Sequence, residues 1–177
     1  MSSSKTRPTP RICLESAAAL TLCVWLGTAC ATSRMGDADV RLQDGQPCFT
    51  ITPKEAARGP AIRLQSVSIN DASTTPVGNV WWVMLDQKRL ATMSPASCVP
   101  YGQTPEGATA KPAVAPDLQL GRVYEVHLNT RPSDSSDPTR GYLGKFCLMA
   151  DGADGTNGRK LVQVKADSRE WTEGVCR

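Results

Sequence analysis

The cysteines are the residues of this chain whose side chains offer the most chemistry. A cysteine thiol can ligate a metal, attack a substrate, carry a lipid or form a disulfide. The chain contains seven cysteines and one histidine, His127. No two cysteines form the C-x-x-C pair that is typical of zinc sites, and a lone histidine cannot complete one. We therefore expect no metal and no other cofactor.

Cys30 closes the one strongly apolar stretch of the sequence. Residues 1–11 are polar and basic, and residues 16–29 are apolar or small, as in a bacterial secretory signal. The stretch is too short to span a membrane. The letters LGTAC resemble a lipobox, which predicts a lipoprotein signal peptide over residues 1–29 and a lipid on Cys30. Because Ala31 is not an aspartate, we expect the anchor in the outer membrane.

The same residues are also compatible with a second cleavage site. Ala29, Cys30 and Ala31 also satisfy the A-x-A rule of ordinary signal peptidase, which would release a soluble periplasmic protein. Either cleavage removes Cys13 and Cys23 with the leader. Four cysteines then remain in an oxidising compartment, so two disulfides are expected. Four cysteines allow three pairings; we favour Cys48–Cys98 and Cys147–Cys176.

The remaining residues give little support to an enzyme. The sequence lacks a G-x-S-x-G, P-loop, G-x-G-x-x-G or H-E-x-x-H motif. His127 falls on the polar face of an alternating strand, as a solvated histidine would. The loop DGADGTNG, residues 151–158, has no glutamate at the twelfth position and no flanking helices, so a turn is favoured over a calcium site. We predict that the protein is not an enzyme.

Charge also excludes a partner class. The formal net charge is +3, and three of the basic residues lie in the leader, so the rest of the chain is almost neutral. A neutral chain is not typical of a protein that binds nucleic acid or an anionic membrane surface through its overall charge.

Short alternating segments separated by turn residues predict an all-β domain. Asp44-Gly45 predicts a hairpin, a slip in the alternation predicts a β-bulge near Gln65-Ser66, and residues 79–86 predict a central strand. Residues 30–39 are small and polar and predict a tether. We therefore predict that residues 40–177 form an antiparallel, immunoglobulin-like β-sandwich with two disulfides.

Two adjacent tryptophans mark a possible binding surface. Trp81 and Trp82 lie in one predicted strand, so their side chains must point to opposite faces. One can pack in the core, whereas the other must be covered by a loop or exposed. Tryptophan is enriched among residues that dominate protein interfaces. Both are therefore candidates for binding a protein partner.

Four stretches in a fixed order resemble a known family: DGQPCFTI, SPASCVPY, LQLGRVYEVHL and GYLGKFCLM, after a lipobox. Together they are similar to small Gram-negative periplasmic lipoproteins described as type VI secretion immunity lipoproteins. The resemblance implies that the protein binds a cognate effector toxin. The alternative is a structural accessory lipoprotein of an envelope or secretion complex.

Overall fold

The computed structural model describes residues 33–59, 61–151 and 158–176. The predicted signal peptide, Cys30 and most of the DGADGTNG loop lie outside these ranges. The elements are β1 (Arg34–Gln43), β2 (Gln46–Ile51), α1 (Pro53–Ala56), β3 (Ile62–Asp71), β4 (Gly78–Met84), β5 (Thr92–Met93), β6 (Val99–Pro100), β7 (Thr109–Lys111), β8 (Val123–Pro132), β9 (Thr139–Ala150), β10 (Arg159–Val164) and α2 (Arg169–Glu173). Strands dominate, as the alternating pattern predicts.

The strands form one mixed sheet that curls into a half-barrel, and the predicted immunoglobulin-like sandwich is not confirmed. Its order is β6-β2-β1-β9-β8-β3-β4-β7, and β10 and β5 add to β9 and β3. The three long antiparallel strands β9, β8 and β3 form its centre. Two strands pair with the same edge of β9, one after the other along its length. β1 pairs with residues 139–143 and β10 pairs with residues 145–150.

The first strand departs from two sequence predictions. Residues 34–39, which we assigned to the tether, are the first part of β1. That part runs parallel to β9, so the sheet is mixed and not wholly antiparallel. Gly36 and Ala38 are small because they are buried there: a Cβ on Gly36 would lie 2.5 Å from the Tyr142 ring. Small residues suit both a linker and a close strand contact, and the sequence does not distinguish them.

Two local predictions are confirmed. Asp44 and Gly45 both have positive φ, 51° and 73°, and they connect β1 to β2 in a tight hairpin. The register of β3 against β8 shifts between Leu64 and Ser66, which is the predicted β-bulge. In both cases a few neighbouring residues decide the geometry.

The curled sheet encloses the main core. Phe49 of β2 packs on Phe146 of β9 with ring centroids 5.8 Å apart, and Tyr124 of β8 lies at the same distance from Phe146. Trp81 meets the edge of Tyr101 at 5.4 Å. The Tyr101 hydroxyl donates to the carbonyl of Pro116 at 2.7 Å, so the long loop after β6 is fixed over this part of the core.

Both disulfides have the sequential pairing that we favour. Cys48–Cys98 links β2 to the segment before β6, and Cys147–Cys176 links β9 to the C-terminal tail. Disulfides form and persist in oxidising compartments, so they indicate a protein that is not cytoplasmic. In the described part of the chain, neither α1 nor α2 is long enough to cross a membrane.

Candidate functional site

The convex side of the central sheet carries a row of side chains that crosses six strands. Residues directly opposite each other in neighbouring strands share a face, and the register places one residue of each strand in line. We call this set the outer row: Lys111, Trp82, Ser68, His127, Leu143 and Asp37, from β7 to β1. At about 4.8 Å between strands, the row is about 24 Å long.

The two tryptophans occupy opposite sides of β4, as alternation requires. Trp82 is half-buried in the outer row. Trp81 is fully buried, with 0% exposure, and belongs to the core. The prediction that Trp81 is a partner-binding residue is therefore wrong, because a side chain enclosed by the half-barrel cannot reach a partner. Of the two candidates, Trp82 alone has accessible surface.

Apolar side chains extend the outer row into a surface. A second line of paired residues runs beside the outer row, from Met84 of β4 to Met35 of β1. Met35 is 46% exposed. Between them is Gly141, where a Cβ would lie 2.9 Å from His127 Nε2. The missing side chain leaves room for the imidazole beside β9. We call this surface, on which the side chains of Trp82, Leu143, Met84 and Met35 are accessible, the outer face.

The C-terminal tail covers the other end of the same face. Trp171 of α2 packs beside a small cluster of buried residues, Val123, Cys147 and Val164. Lys145 Nζ lies 4.6 Å from the centre of the Trp171 ring and donates to its carbonyl at 3.2 Å. The same amine lies 3.7 Å from the Glu125 carboxylate. The tail therefore forms one border of the outer face and leaves the outer row uncovered.

The outer row carries little reactive chemistry. Ser68 lies opposite His127, but no hydrogen bond joins these side chains among the described residues. The one carboxylate next in line on β8, Glu125, is paired with Lys145. The four cysteines of the folded body are disulfide-bonded. Within the described ranges, no group of three histidine, cysteine, aspartate or glutamate residues could hold a metal ion.

A buried ion pair lies at the start of β1. The Glu55 carboxylate of α1 is almost fully buried and accepts hydrogen bonds from both terminal nitrogens of Arg34; the Nη1–Oε2 distance is 2.7 Å. Arg58 lies 3.6 Å from Glu55 on the other side. The hydrogen bonds from Arg34 lower the pKa of Glu55, and burial raises the pKa of the neighbouring Tyr142 to about 12.

These groups line a cavity of about 340 Å³. A carboxylate with a lowered pKa whose oxygens are already engaged is a weak base, and a tyrosine with a raised pKa stays protonated at neutral pH. The cluster is therefore suited to holding β1 against α1 rather than to proton transfer.

Comparisons with known proteins point to no functional site. No protein family, curated protein or solved structure matches this chain. Sequence reasoning found Trp82 and placed His127 on the outward face, but it did not single out Leu143, Met84 or Met35. Alternation could have placed each on its strand's outer side. Which strands are neighbours decides whether they meet, and that depends on long-range pairing.

Proposed function

We propose that this protein is a periplasmic lipoprotein, anchored through a lipid on Cys30, and that its outer face binds a protein partner. The resemblance of its sequence motifs to immunity lipoproteins favours a secreted effector toxin as that partner. The observation that carries the proposal is the outer row, where Trp82 and Leu143 lie accessible on an ordered sheet.

The size of the outer face supports a protein rather than a small ligand. One partner's share of a standard interface is about 800 Å², which is a patch about 30 Å across. The outer row alone extends over about 24 Å. Small ligands favour enclosed pockets, whereas the outer row lies on the convex side of the curled sheet. The charged residues Lys111 and Asp37 lie at the two ends of the outer row, which fits the charged rim of an interface.

The location rests on two observations. The disulfides indicate folding outside the cytoplasm. The sequence LGTAC places a cysteine where lipoproteins carry their anchor. Mass spectrometry of the mature protein tests the anchor: an acylated N-terminal Cys30 supports it, and a chain that starts at Thr32 refutes it in favour of a soluble periplasmic protein.

The partner is tested with the product of the neighbouring reading frame. If that product is a toxin, the exported chain should bind it and should protect cells that produce it. Trp82→Ala should weaken binding about 30-fold, as expected for an interface anchor worth about 2 kcal/mol. Val114→Ala is the matched control, since Val114 is apolar and 83% exposed and is not a member of the outer row. It should change binding less than twofold.

Two results would overturn this proposal. Equal binding by wild type and Trp82→Ala, with both variants folded, would remove the outer face from the interaction. Loss of a secretion apparatus on deletion of the gene, without any new sensitivity to a toxin, would replace the immunity function by the structural alternative.

A further inference from the structure

Three arginines line a cleft that borders the outer face beside Met84, whose sulfur accepts a hydrogen bond from Gln87 of the cleft. Arg63 of β3, Arg131 of β8 and Arg140 of β9 surround a cavity of about 440 Å³, together with Gln87 and two serines of the loop after β8. No carboxylate is among the residues that line it. We call this site the arginine cleft.

The arginines of the cleft lack the partners that other arginines of the chain have. Five arginines donate hydrogen bonds to carboxylates or carbonyls, and Arg58 forms an ion pair with Glu55; the five are Arg34, Arg41, Arg89, Arg122 and Arg169. Within the described ranges, the side chains of Arg63, Arg131 and Arg140 form no ion pair and donate no hydrogen bond. Three free guanidinium groups in one cleft form a strong site for an anion.

The strand register adds a physical reason for an anionic ligand. Arg63 and Arg131 lie directly opposite each other in the β3–β8 ladder. Like charges in this arrangement repel and destabilise the sheet. A phosphate between the two guanidinium groups would remove the repulsion and accept hydrogen bonds from both. The carboxylates of the adjacent loop, Asp134 and Asp137, line the neighbouring cavity instead.

The chain enters the folded body at the same end. The backbone N–H of Arg34 donates to the carbonyl of Pro138 at 3.0 Å, two residues before Arg140. Cys30 precedes Ser33 by only three residues, which extend over about 11 Å at most. If Cys30 carries a lipid, the anchored residue is therefore separated from the start of the described body, Ser33, by no more than this length of chain.

We propose that the arginine cleft binds the phosphate of anionic phospholipid headgroups in the membrane that holds the Cys30 anchor. This inference rests on the proposed anchor. The near-neutral charge of the whole chain does not oppose it, because the three unpaired arginines are concentrated in one cleft. Each arginine at an anionic surface strengthens membrane association about fivefold, and the effect falls off within a Debye length. The cleft would thus fix the orientation of the body on the membrane.

Arginine footprinting tests the proposal on the intact acylated protein. Phenylglyoxal modifies free guanidinium groups, and mass spectrometry reads the rate at each arginine. The protein is reconstituted in vesicles of phosphatidylcholine alone and in vesicles of equal parts phosphatidylcholine and phosphatidylglycerol. We expect modification of Arg63, Arg131 and Arg140 to slow about fivefold in the anionic vesicles and to recover in high salt.

Arg159 is the internal control. It has no side-chain partner among the described residues and lies on β10, outside the cleft. Its rate should be the same in both vesicles. One variant tests whether the arginines act together. If Arg63 and Arg131 bind the same phosphate, Arg131→Gln should reduce the protection of Arg63 by anionic lipid.

Three results would overturn the inference. The first is equal rates at the cleft arginines in both vesicles, and the second is equal protection of Arg159. The third is the same protection in detergent with inorganic phosphate, which would assign the site to free phosphate. Mass spectrometry of the same sample distinguishes failure of the lipid-binding proposal from failure of the anchor. An acylated Cys30 with unprotected arginines refutes lipid binding by the cleft alone, and an unacylated chain refutes the anchor.

Discussion

The Cys147–Cys176 disulfide closes a loop of 29 residues and fixes the C-terminal tail to the outer face. We predict that replacing both cysteines by alanine lowers the free energy of unfolding by about 3.6 kcal/mol, the chain-entropy value for this loop length. Alanine is the appropriate replacement because Cys147 is fully buried. A serine hydroxyl there would add its own cost of about 1–3 kcal/mol if it found no partner.

The second disulfide provides a matched comparison in the same protein. Cys48–Cys98 has a sequence separation of 50. The chain-entropy relation assigns it about 4.1 kcal/mol, only about 0.5 kcal/mol more than the shorter loop. Cys48→Ala/Cys98→Ala should therefore be slightly less stable than Cys147→Ala/Cys176→Ala. Both variants should keep the fold of the sheet.

Urea unfolding followed by far-UV circular dichroism measures both losses. With a slope of about 2 kcal/mol per molar urea, a loss of 3.6 kcal/mol shifts the midpoint by about 1.8 M. Tryptophan fluorescence adds a signal from the tail, because Trp171 packs on the cluster that the disulfide closes, to the signal of Trp81 and Trp82 in the sheet. The slope itself should rise slightly, since the unfolded chain without the crosslink exposes more surface.

The reasoning fails if Cys147→Ala/Cys176→Ala loses less than about 1 kcal/mol while the other pair loses the expected amount. That result would mean that the non-covalent contacts of the tail suffice. Such contacts include the hydrogen bond from Ser73 Oγ to the Gly174 carbonyl, the Lys145–Trp171 cation–π contact and the hydrogen bond from the Cys176 N–H to the Gly121 carbonyl at 3.4 Å.

Three further predictions concern the sheet. Glu55→Gln should lower the free energy of unfolding by about 2 kcal/mol at pH 7 in urea titrations, because its arginine partners lose a buried counter-charge. Folding lowers the pKa of Glu55, so the stability difference between wild type and Glu55→Gln should have its full size above pH 4.5, the ordinary pKa of the group. It should vanish as the pH falls through the pKa of the folded state. A stability difference that persists at lower pH would contradict this assignment. Gly36→Ala should lower the melting temperature and reduce the free energy of unfolding by about 1–3 kcal/mol, since the new Cβ would lie 2.5 Å from the Tyr142 ring. Gly59→Ala is the control: the nearest atom to its new Cβ lies 3.8 Å away, so its stability should not change. Trp81→Ala should cost about 3–5 kcal/mol in calorimetry and Trp82→Ala far less, because only Trp81 fills the core; equal losses would mean that the two faces are wrongly assigned.

Local geometry was predictable from the sequence. The Asp44-Gly45 turn needs positive φ at both residues, which few other residue pairs adopt readily. The bulge near Ser66 appears as a break in alternation. The disulfide pairing joined cysteines that follow each other in the sequence. Each prediction depends on neighbouring residues or on the order of the cysteines along the chain.

The long-range pairing was not predictable. The Arg34 guanidinium bonds to Thr139 across 105 residues, and nothing in the letters RMGDAD indicates a parallel partner so far along the chain. The small residues of that segment were interpreted as a tether, although they are small because Tyr142 packs against them. The outer row and the arginine cleft depend on the same pairings. The types of their residues were visible in the sequence, and their proximity was not.

The parallel pairing of β1 with β9 has a consequence for export. A chain that crosses the inner membrane with its N-terminus first delivers β1 long before residues 139–143, its partners, have emerged. Contacts of such sequence separation form slowly. In a chain exported in this direction, β1 therefore remains without β9, its parallel partner, until most of the polypeptide has been translocated. The half-barrel can then close only near the end of passage, so the exported chain must remain partly unpaired until that point.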